Sequence, residues 1–480
     1  MRDLDRPIGS ALPAFLCEKR WFGAKGRTIA RAAVEDTVDL DGDARTVLAI
    51  VAIAYEDAPP DRYALLLATR PDPGALPVVV RLEDGESVVD ASSEPASIAR
   101  LLAVFVAGPR PSRAGGWLEC RDVTEHARRA LCGAMPPVAS LGAEQSNTSL
   151  RVGHDFIFKL IRRLQAGEHP EVEVGRFLLT RTAFRACPSL AGSLTYRQAS
   201  GAAFTVGVLQ GWVESRGDGW AWTLDKLAGA QRGANVAAAI QQEMAILGRV
   251  TAEFHRALAS DEASPAFSPE IVTPADFTAW SDRLRDETTH AIDRVQSIRA
   301  SWTQEMRSLA AQAITALEQA VPGLIGGAPA SASFHKIRIH GDYHLGQTLK
   351  TADGFALIDF EGEPAKPLEE RRRKTCVLKD VAGMLRSFEY AIESVAAGDV
   401  DAAADLRRRA GLRAAFLGSY LDSAASLRAK VVPDRAATLG WLRIFELEKA
   451  LYELEYEIDN RPMWIRIPLR GILSALRSTA

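Results

Sequence analysis

Cysteine is scarce in this chain. Five occur in 480 residues (Cys17, Cys120, Cys132, Cys187 and Cys376), odd in number, scattered and without C-x-x-C spacing. That pattern excludes a disulfide framework and a zinc site, and it fits free thiols in a reducing, cytoplasmic setting. An excess of one charge is also lacking: 58 Lys and Arg stand against 61 Asp and Glu, a formal net charge of −3. Such a balance offers no basic field for nucleic acid and no polybasic membrane patch. No apolar run approaches a membrane span, the opening Met1-Arg2-Asp3-Leu4-Asp5 has no apolar signal core, and no internal repeat is visible.

The composition itself, 47% hydrophobic and 25% charged, is that of a soluble globular protein with room for several lobes. Its chemistry concentrates in Ile337–Pro364. Phosphoryl transfer from a nucleotide needs a carboxylate beside the attacking hydroxyl and oxygen ligands for Mg²⁺. Protein-kinase-like enzymes supply these as H-x-D-x-x-x-x-N, a short hairpin and D-F-G. His340, Asp342 and Gln347 fit the first frame, with an amide Gln for the usual Asn; Asp359-Phe360-Glu361 fits the second, with Glu in the Gly position. Between them Asp353-Gly354 marks a hairpin turn, which predicts two carboxylates at adjacent strand ends.

Residues 1–100 read as a small α/β cap: a helix over about Gly9–Lys19, the run R-W-F-G-A-K-G-R at 20–27, then strands Thr46–Tyr55, Arg62–Leu67 and Leu76–Leu82. Trp21 and Phe22 are expected in its core rather than in an anion-binding loop. Residues 101–213 read as the small lobe of a kinase. There the polar turn Glu144–Ser149, with Gln145, Ser146, Asn147, Thr148 and Ser149, is suited to phosphate oxygens. Lys159, alternating within the apolar strand F-I-F-K-L, is placed for the α- and β-phosphates. The helix opening at Pro170 offers Glu173 first, and Glu171 second, as the carboxylate that holds Lys159. Gln210, Trp212 and Val213 would form the hinge against adenine.

Residues 214–480 are mainly helical. Asn235–Ala259 has apolar residues at helical spacing, with His255 read as a packing residue or a support behind the site rather than a catalyst. Asp380, near the start of a core helix, caps that helix or holds the catalytic loop's backbone. The last helical segment mixes acids and aromatics, a composition suited to a sugar, although a charged helix face that is simply wet reads the same way. The fold class is thus α+β: a bilobal protein-kinase-like fold with an N-terminal α/β cap and a mainly helical C-terminal lobe.

The motifs R-W-F-G-x-K-G-R, L-G-A-E-Q-S-N-T-S, H-G-D-Y-H-L-G-Q, I-D-F-E-G-E-P, L-K-D-V-A-G-M-L-R-S-F, K-A-L-Y-E-L-x-Y-E and N-R-P-x-W span almost the whole chain. Together they resemble the bacterial maltokinases, including the kinase portion of trehalose synthase–maltokinase fusions. The resemblance implies ATP- and Mg²⁺-dependent phosphorylation of maltose to maltose 1-phosphate, on the path from trehalose to α-glucan (glycogen), with trehalose synthase as a candidate partner. By position Asp342 would be the base, Gln347 and Asp359 the metal ligands, and Lys159, Glu173 and the Glu144–Ser149 loop the ATP site. His344, Glu361, Arg371, Tyr452, Glu455, Asn460, Arg461 and Trp464 are the candidates for the acceptor. Met463 stands where many family members carry Asp, and related sequences of the wider family phosphorylate other sugars such as glucosamine.

Overall fold

The structure is a computed structural model that describes residues 4–142, 147–230, 234–328, 333–395, 402–426 and 430–477. The chain divides into two compact units. The first comprises Met1–Thr180, Pro188–Trp212 and Glu363–Arg371; the second comprises Arg181–Cys187, Val213–Gly362 and Arg372–Ala480.

Two antiparallel sheets build the first unit. In one, the strands Ile29–Asp39, Thr46–Tyr55, Asp61–Arg70, Ser87–Asp90 and Val78–Arg81 lie in that spatial order, and Arg163–Leu164 pairs with Asp61–Arg70. The strand Thr46–Tyr55 is almost continuously apolar because both its faces are covered. Leu48 and Ile50 enter a core shared with the second sheet, where they join Leu118, Leu150, Phe158 and Leu194. Ala49, Val51 and Ile53 enter another core beneath the helix Asp5–Cys17, with Leu12, Leu16, Trp21, Phe22 and Tyr63. Trp21 and Phe22 are accordingly buried, as expected, and both rings pack on Tyr63. The strands Ile29–Asp39 and Ser87–Asp90 were not anticipated.

The second sheet has the order Arg110–Pro111, Trp117–Arg121, Leu190–Arg197, Ala203–Gly211, Phe156–Ile161, Asn147–Val152 and Val138–Ser140. Lys159 sits in its middle, opposite Ser149 on one side and Val208 on the other. The helix Pro170–Arg181 follows and contributes Val172 to a small cluster with Ile161, Leu190 and Val208.

The second unit is helical apart from short strands. The predicted amphipathic helix is found at Ala234–Leu258, and the segment after Pro274 forms two helices, Pro274–Ile298 and Gln304–Gly326. Phe277, Trp280, Phe334, Trp441 and Phe445 interlock around the long helix Arg435–Asn460. The predicted hairpin is present: Thr348–Lys350 pairs with Phe355–Leu357 across the Asp353-Gly354 turn.

Close helix contact depends on one glycine. A Cβ at Gly248, in Ala234–Leu258, would lie 2.2 Å from the Phe416 carbonyl oxygen of the facing helix Ala402–Ala424. Gly248→Ala gains up to about 1 kcal/mol in helix propensity. Overpacking against rigid backbone costs about 1–3 kcal/mol and wins. The variant is expected to unfold at lower denaturant than the wild type; an equal or higher midpoint would contradict this packing.

Candidate active site

The first unit contributes a buried lysine and its holders. Lys159 Nζ lies 3.1 Å from Glu171 Oε1, and Gln210 Nε2 donates to the same oxygen at 2.7 Å. All three side chains are buried. Glu171, the second choice on sequence, is thus a carboxylate found at Lys159; Glu173, the first choice, is buried two residues further along the same helix. Gln210 lies inside the strand Ala203–Gly211, between two neighbouring strands, and its side chain donates to Glu171. The Trp212 N–H is taken by the Asp155 carbonyl at 2.7 Å, and the Trp212 ring is covered by Arg151 at 4.1 Å. Val213 begins the next unit.

Gln145 and Ser146 lie outside the described residues. Asn147, Thr148 and Ser149 open a strand rather than sit in a loop. The Thr148 hydroxyl accepts from the buried Arg162 Nε at 3.0 Å. Arg371 belongs to the first unit, where its guanidinium donates to Gln165 at 2.9 Å.

The second unit holds the candidate catalytic stretch. Its anchor is Asp380, fully buried in the helix Leu378–Val395. The carboxylate accepts the His340 N–H at 2.7 Å and the Gly341 N–H at 2.9 Å, and His255 Nε2 approaches at 3.1 Å. His255 Nδ1 in turn meets the Tyr420 hydroxyl at 3.0 Å. Burial acts to raise the Asp380 pKa, but the His255 contact and the Gly341 N–H outweigh it and hold the group below the ordinary carboxylate value. The reading of Asp380 as the holder of the loop backbone is thus what the structure shows. The same helix face serves twice more: Gly383 admits the Tyr343 carbonyl, 2.6 Å from where a Cβ would stand, and Ser387 Oγ accepts the Leu345 N–H at 3.0 Å.

His340 Nε2–H donates to the Ile358 carbonyl at 2.9 Å, which ties the loop to the strand that delivers Asp359. Asp359 has φ of +69°, a left-handed conformation uncommon for a non-glycine residue. Its Oδ2 accepts from Gln347 Nε2 at 3.1 Å, so the two predicted metal ligands are adjacent. One carboxylate and one amide oxygen form a hard, partial donor set. It suits Mg²⁺, which takes its remaining ligands from phosphate oxygens and water.

Asp342 is partly buried, with Lys449 Nζ 3.4 Å from Oδ1 and His344 Nε2 3.9 Å from Oδ2. His344 Nδ1 accepts the Gly346 N–H, which leaves the ring hydrogen on the nitrogen facing Asp342. Burial lowers the His344 pKa; Asp342 works against that and Lys449 with it. Glu361 is buried.

The acceptor candidates on and just beyond the helix Arg435–Asn460 divide. Tyr452 lies under Lys449, 4.5 Å from the ammonium to the ring centre, and so belongs with Asp342. Asn460 is eleven residues beyond Lys449, about 16 Å along the axis. It caps its own helix through the Tyr456 carbonyl. Arg461 pairs with Glu457, which also accepts from Tyr390, and Trp464 stacks on Tyr390. These three residues end the helix. Glu455 faces His290 at 3.4 Å, and burial raises its pKa. Met463 is 88% exposed, so the departure from the family motif falls in solvent. Lys449 itself was missed on sequence; its place at the head of K-A-L-Y-E, one turn before Tyr452, was the available signal.

Residues 138–412, over half of the chain, match the phosphotransferase enzyme family. The chain belongs to that family. Residues 15–92 match the maltokinase N-terminal cap domain, so this phosphotransferase carries the cap of the maltokinases. Two curated relatives are named glucosamine kinase. The one from Mycolicibacterium smegmatis (strain ATCC 700084 / mc(2)155) is 28% identical over 68% of this chain and 76% of its own length. The one from Streptacidiphilus jiangxiensis is 27% identical over 82% and 90%. A solved glucosamine kinase in complex with glucosamine, ADP and inorganic phosphate matches 99% of this chain and all of its own, with TM-score 0.64 and 22% identity, a likeness of fold. The fold class expected from sequence is the one observed, and the enzyme is a kinase-like phosphotransferase. No described helix is long and apolar enough to cross a membrane.

Asp380→Asn keeps the shape but leaves an amide facing a backbone donor. It is expected to cost about 1–3 kcal/mol of stability and to lower kcat more than the KM for nucleotide. Because the carboxylate's pKa is depressed on folding, the stability gap between wild type and variant is full at neutral pH. It narrows as pH falls below the ordinary carboxylate value. Unchanged kcat and unfolding midpoint in Asp380→Asn would remove the anchor from this account.

Proposed function

We propose that this phosphotransferase transfers the γ-phosphoryl group of ATP to the anomeric hydroxyl of maltose, giving maltose 1-phosphate and ADP. The observation that carries the transfer chemistry is the constellation Asp342, Gln347 and Asp359 on one braced loop and hairpin. The maltokinase cap and the motifs around the catalytic loop support the sugar. Asp342 accepts the proton of the attacking hydroxyl. An anomeric hydroxyl is more acidic than other sugar hydroxyls, so a simple carboxylate suffices as its base. Lys159, held by Glu171 and Gln210, binds the nucleotide phosphates. Gln347 and Asp359 hold Mg²⁺, which when bound neutralises charge on the transferring phosphates. The maltose 1-phosphate formed would feed α-glucan synthesis from trehalose, with trehalose synthase as the neighbouring activity.

A second reading, a kinase of glucosamine, is favoured by the names of the two curated relatives. A coupled assay with maltose, glucose, glucosamine and trehalose separates the two by which acceptor has the highest kcat/KM.

Asp342→Asn should bind ATP normally and lose on the order of 10²–10⁴-fold in kcat, the usual contribution of a general base. Turnover within a few-fold of wild type would show that another group takes the proton. Methyl maltoside, with its anomeric oxygen blocked, should compete with maltose yet remain unphosphorylated; its phosphorylation at a comparable rate would move the acceptor to another hydroxyl.

A further inference from the structure

Asp342 is followed in the chain by a tyrosine whose side chain turns away from solvent. Tyr343 is buried, and its hydroxyl lies 2.8 Å from Thr251 Oγ1. The Thr251 hydroxyl in turn donates to the Leu247 carbonyl, one helical turn back, at 2.8 Å. A threonine hydroxyl carries one hydrogen; with that hydrogen on Leu247, the Tyr343 hydroxyl donates to Thr251. The two bonds run head to tail in a buried setting, where each strengthens the other. The Tyr343 backbone is fixed as well, because its carbonyl occupies the space that a Cβ at residue 383 would need. Its ring packs on that of His340, 5.2 Å between centres. Burial pushes the phenol far above its ordinary pKa, so it remains a donor.

Thr251 and His255 are four residues apart on the helix Ala234–Leu258 and share a face. His255 meets Asp380, the carboxylate that holds the His340 and Gly341 N–H groups, and Thr251 meets Tyr343. One helix face thus grips the loop before and after Asp342. We infer that Tyr343 is a positioning residue for Asp342, its hydroxyl on Thr251 fixing the direction of the carboxylate that takes the acceptor's proton. The inference rests on the reading of Asp342 as the base. A loop held only upstream leaves Asp342 free to turn with the chain that follows it. A buried hydrogen bond one residue on removes that freedom. A tyrosine that merely filled the core would need its ring alone; the hydroxyl is the part this role requires.

Tyr343→Phe keeps the ring and removes the hydroxyl, while Thr251 keeps Leu247 for its own hydrogen. Its kcat should fall about 10- to 100-fold, within the cost that a misplacement of about 1 Å can carry, with the ATP KM unchanged. Thr251→Val removes the acceptor and should lower kcat likewise, and Thr251→Ser should recover most of that loss. The double variant Tyr343→Phe with Thr251→Val should lose no more than either alone. The deciding readout is Tyr343→Phe in the Asp342→Asn background, where a residue acting through Asp342 has no further effect on the residual turnover. A folded Tyr343→Phe with the kcat of the wild type overturns the inference, as does the same fold-loss with and without the Asp342 carboxylate. If Tyr343→Phe fails to fold, Thr251→Val and Thr251→Ser decide by the same comparison. Nearly full turnover in Asp342→Asn overturns the base reading and this inference together. A large loss in Asp342→Asn to which the Tyr343→Phe loss simply adds leaves the base reading standing and sinks the role of Tyr343.

Discussion

The site in the second unit depends on one buried carboxylate. Asp380 accepts two successive backbone N–H groups, those of His340 and Gly341, and faces His255. Removing a charge from water is costly, and only several charge-assisted hydrogen bonds offset it. Those bonds draw three elements onto one point: the catalytic loop, the helix Leu378–Val395, and the helix Ala234–Leu258 through His255. Tyr420 brings in a fourth, Ala402–Ala424, at the crossing where Gly248 permits close approach. Asp342 directly follows the two anchored residues, and His340 carries the constraint across to Ile358, next to Asp359. Position is what the fold supplies here.

The parts of this arrangement that were legible in sequence are those set by local spacing. His340, Asp342 and Gln347, the Asp353-Gly354 turn and Asp359 fall within twenty residues, so loop, hairpin and paired ligands follow from short-range geometry. Lys159 was legible because a single cation interrupts an apolar strand. The continuous apolar run Thr46–Tyr55 was legible for the same kind of reason, whereas Ile29–Asp39 mixes charge and small residues and shows no clear period.

What was not legible depends on partners far along the chain. Glu171 and Glu173 are two residues apart at a helix start, and the contact of Glu171 with Lys159 depends on how that helix sits on the sheet. Gln210 was recognisable as a strand end but not as a hydrogen-bond donor to Glu171, 39 residues away. The acids of the helix Arg435–Asn460 looked available to a sugar. Their partners Lys379, Arg386 and Arg413 come from other helices, and only the assembled unit reveals that they are occupied. Near Asp342 the side chain that this helix is seen to bring is Lys449, over the Tyr452 ring.

The central claim is transfer of phosphoryl to the anomeric oxygen of an uncharged disaccharide, with Asp342 as the base. Phosphorus NMR of the product formed from maltose, ATP and Mg²⁺ tests it most directly. The account predicts a single new phosphomonoester whose phosphorus couples to the anomeric proton of the reducing glucose. Coupling to the protons of a primary carbinol instead, or no phosphorylated disaccharide from an enzyme that consumes glucosamine, would contradict it.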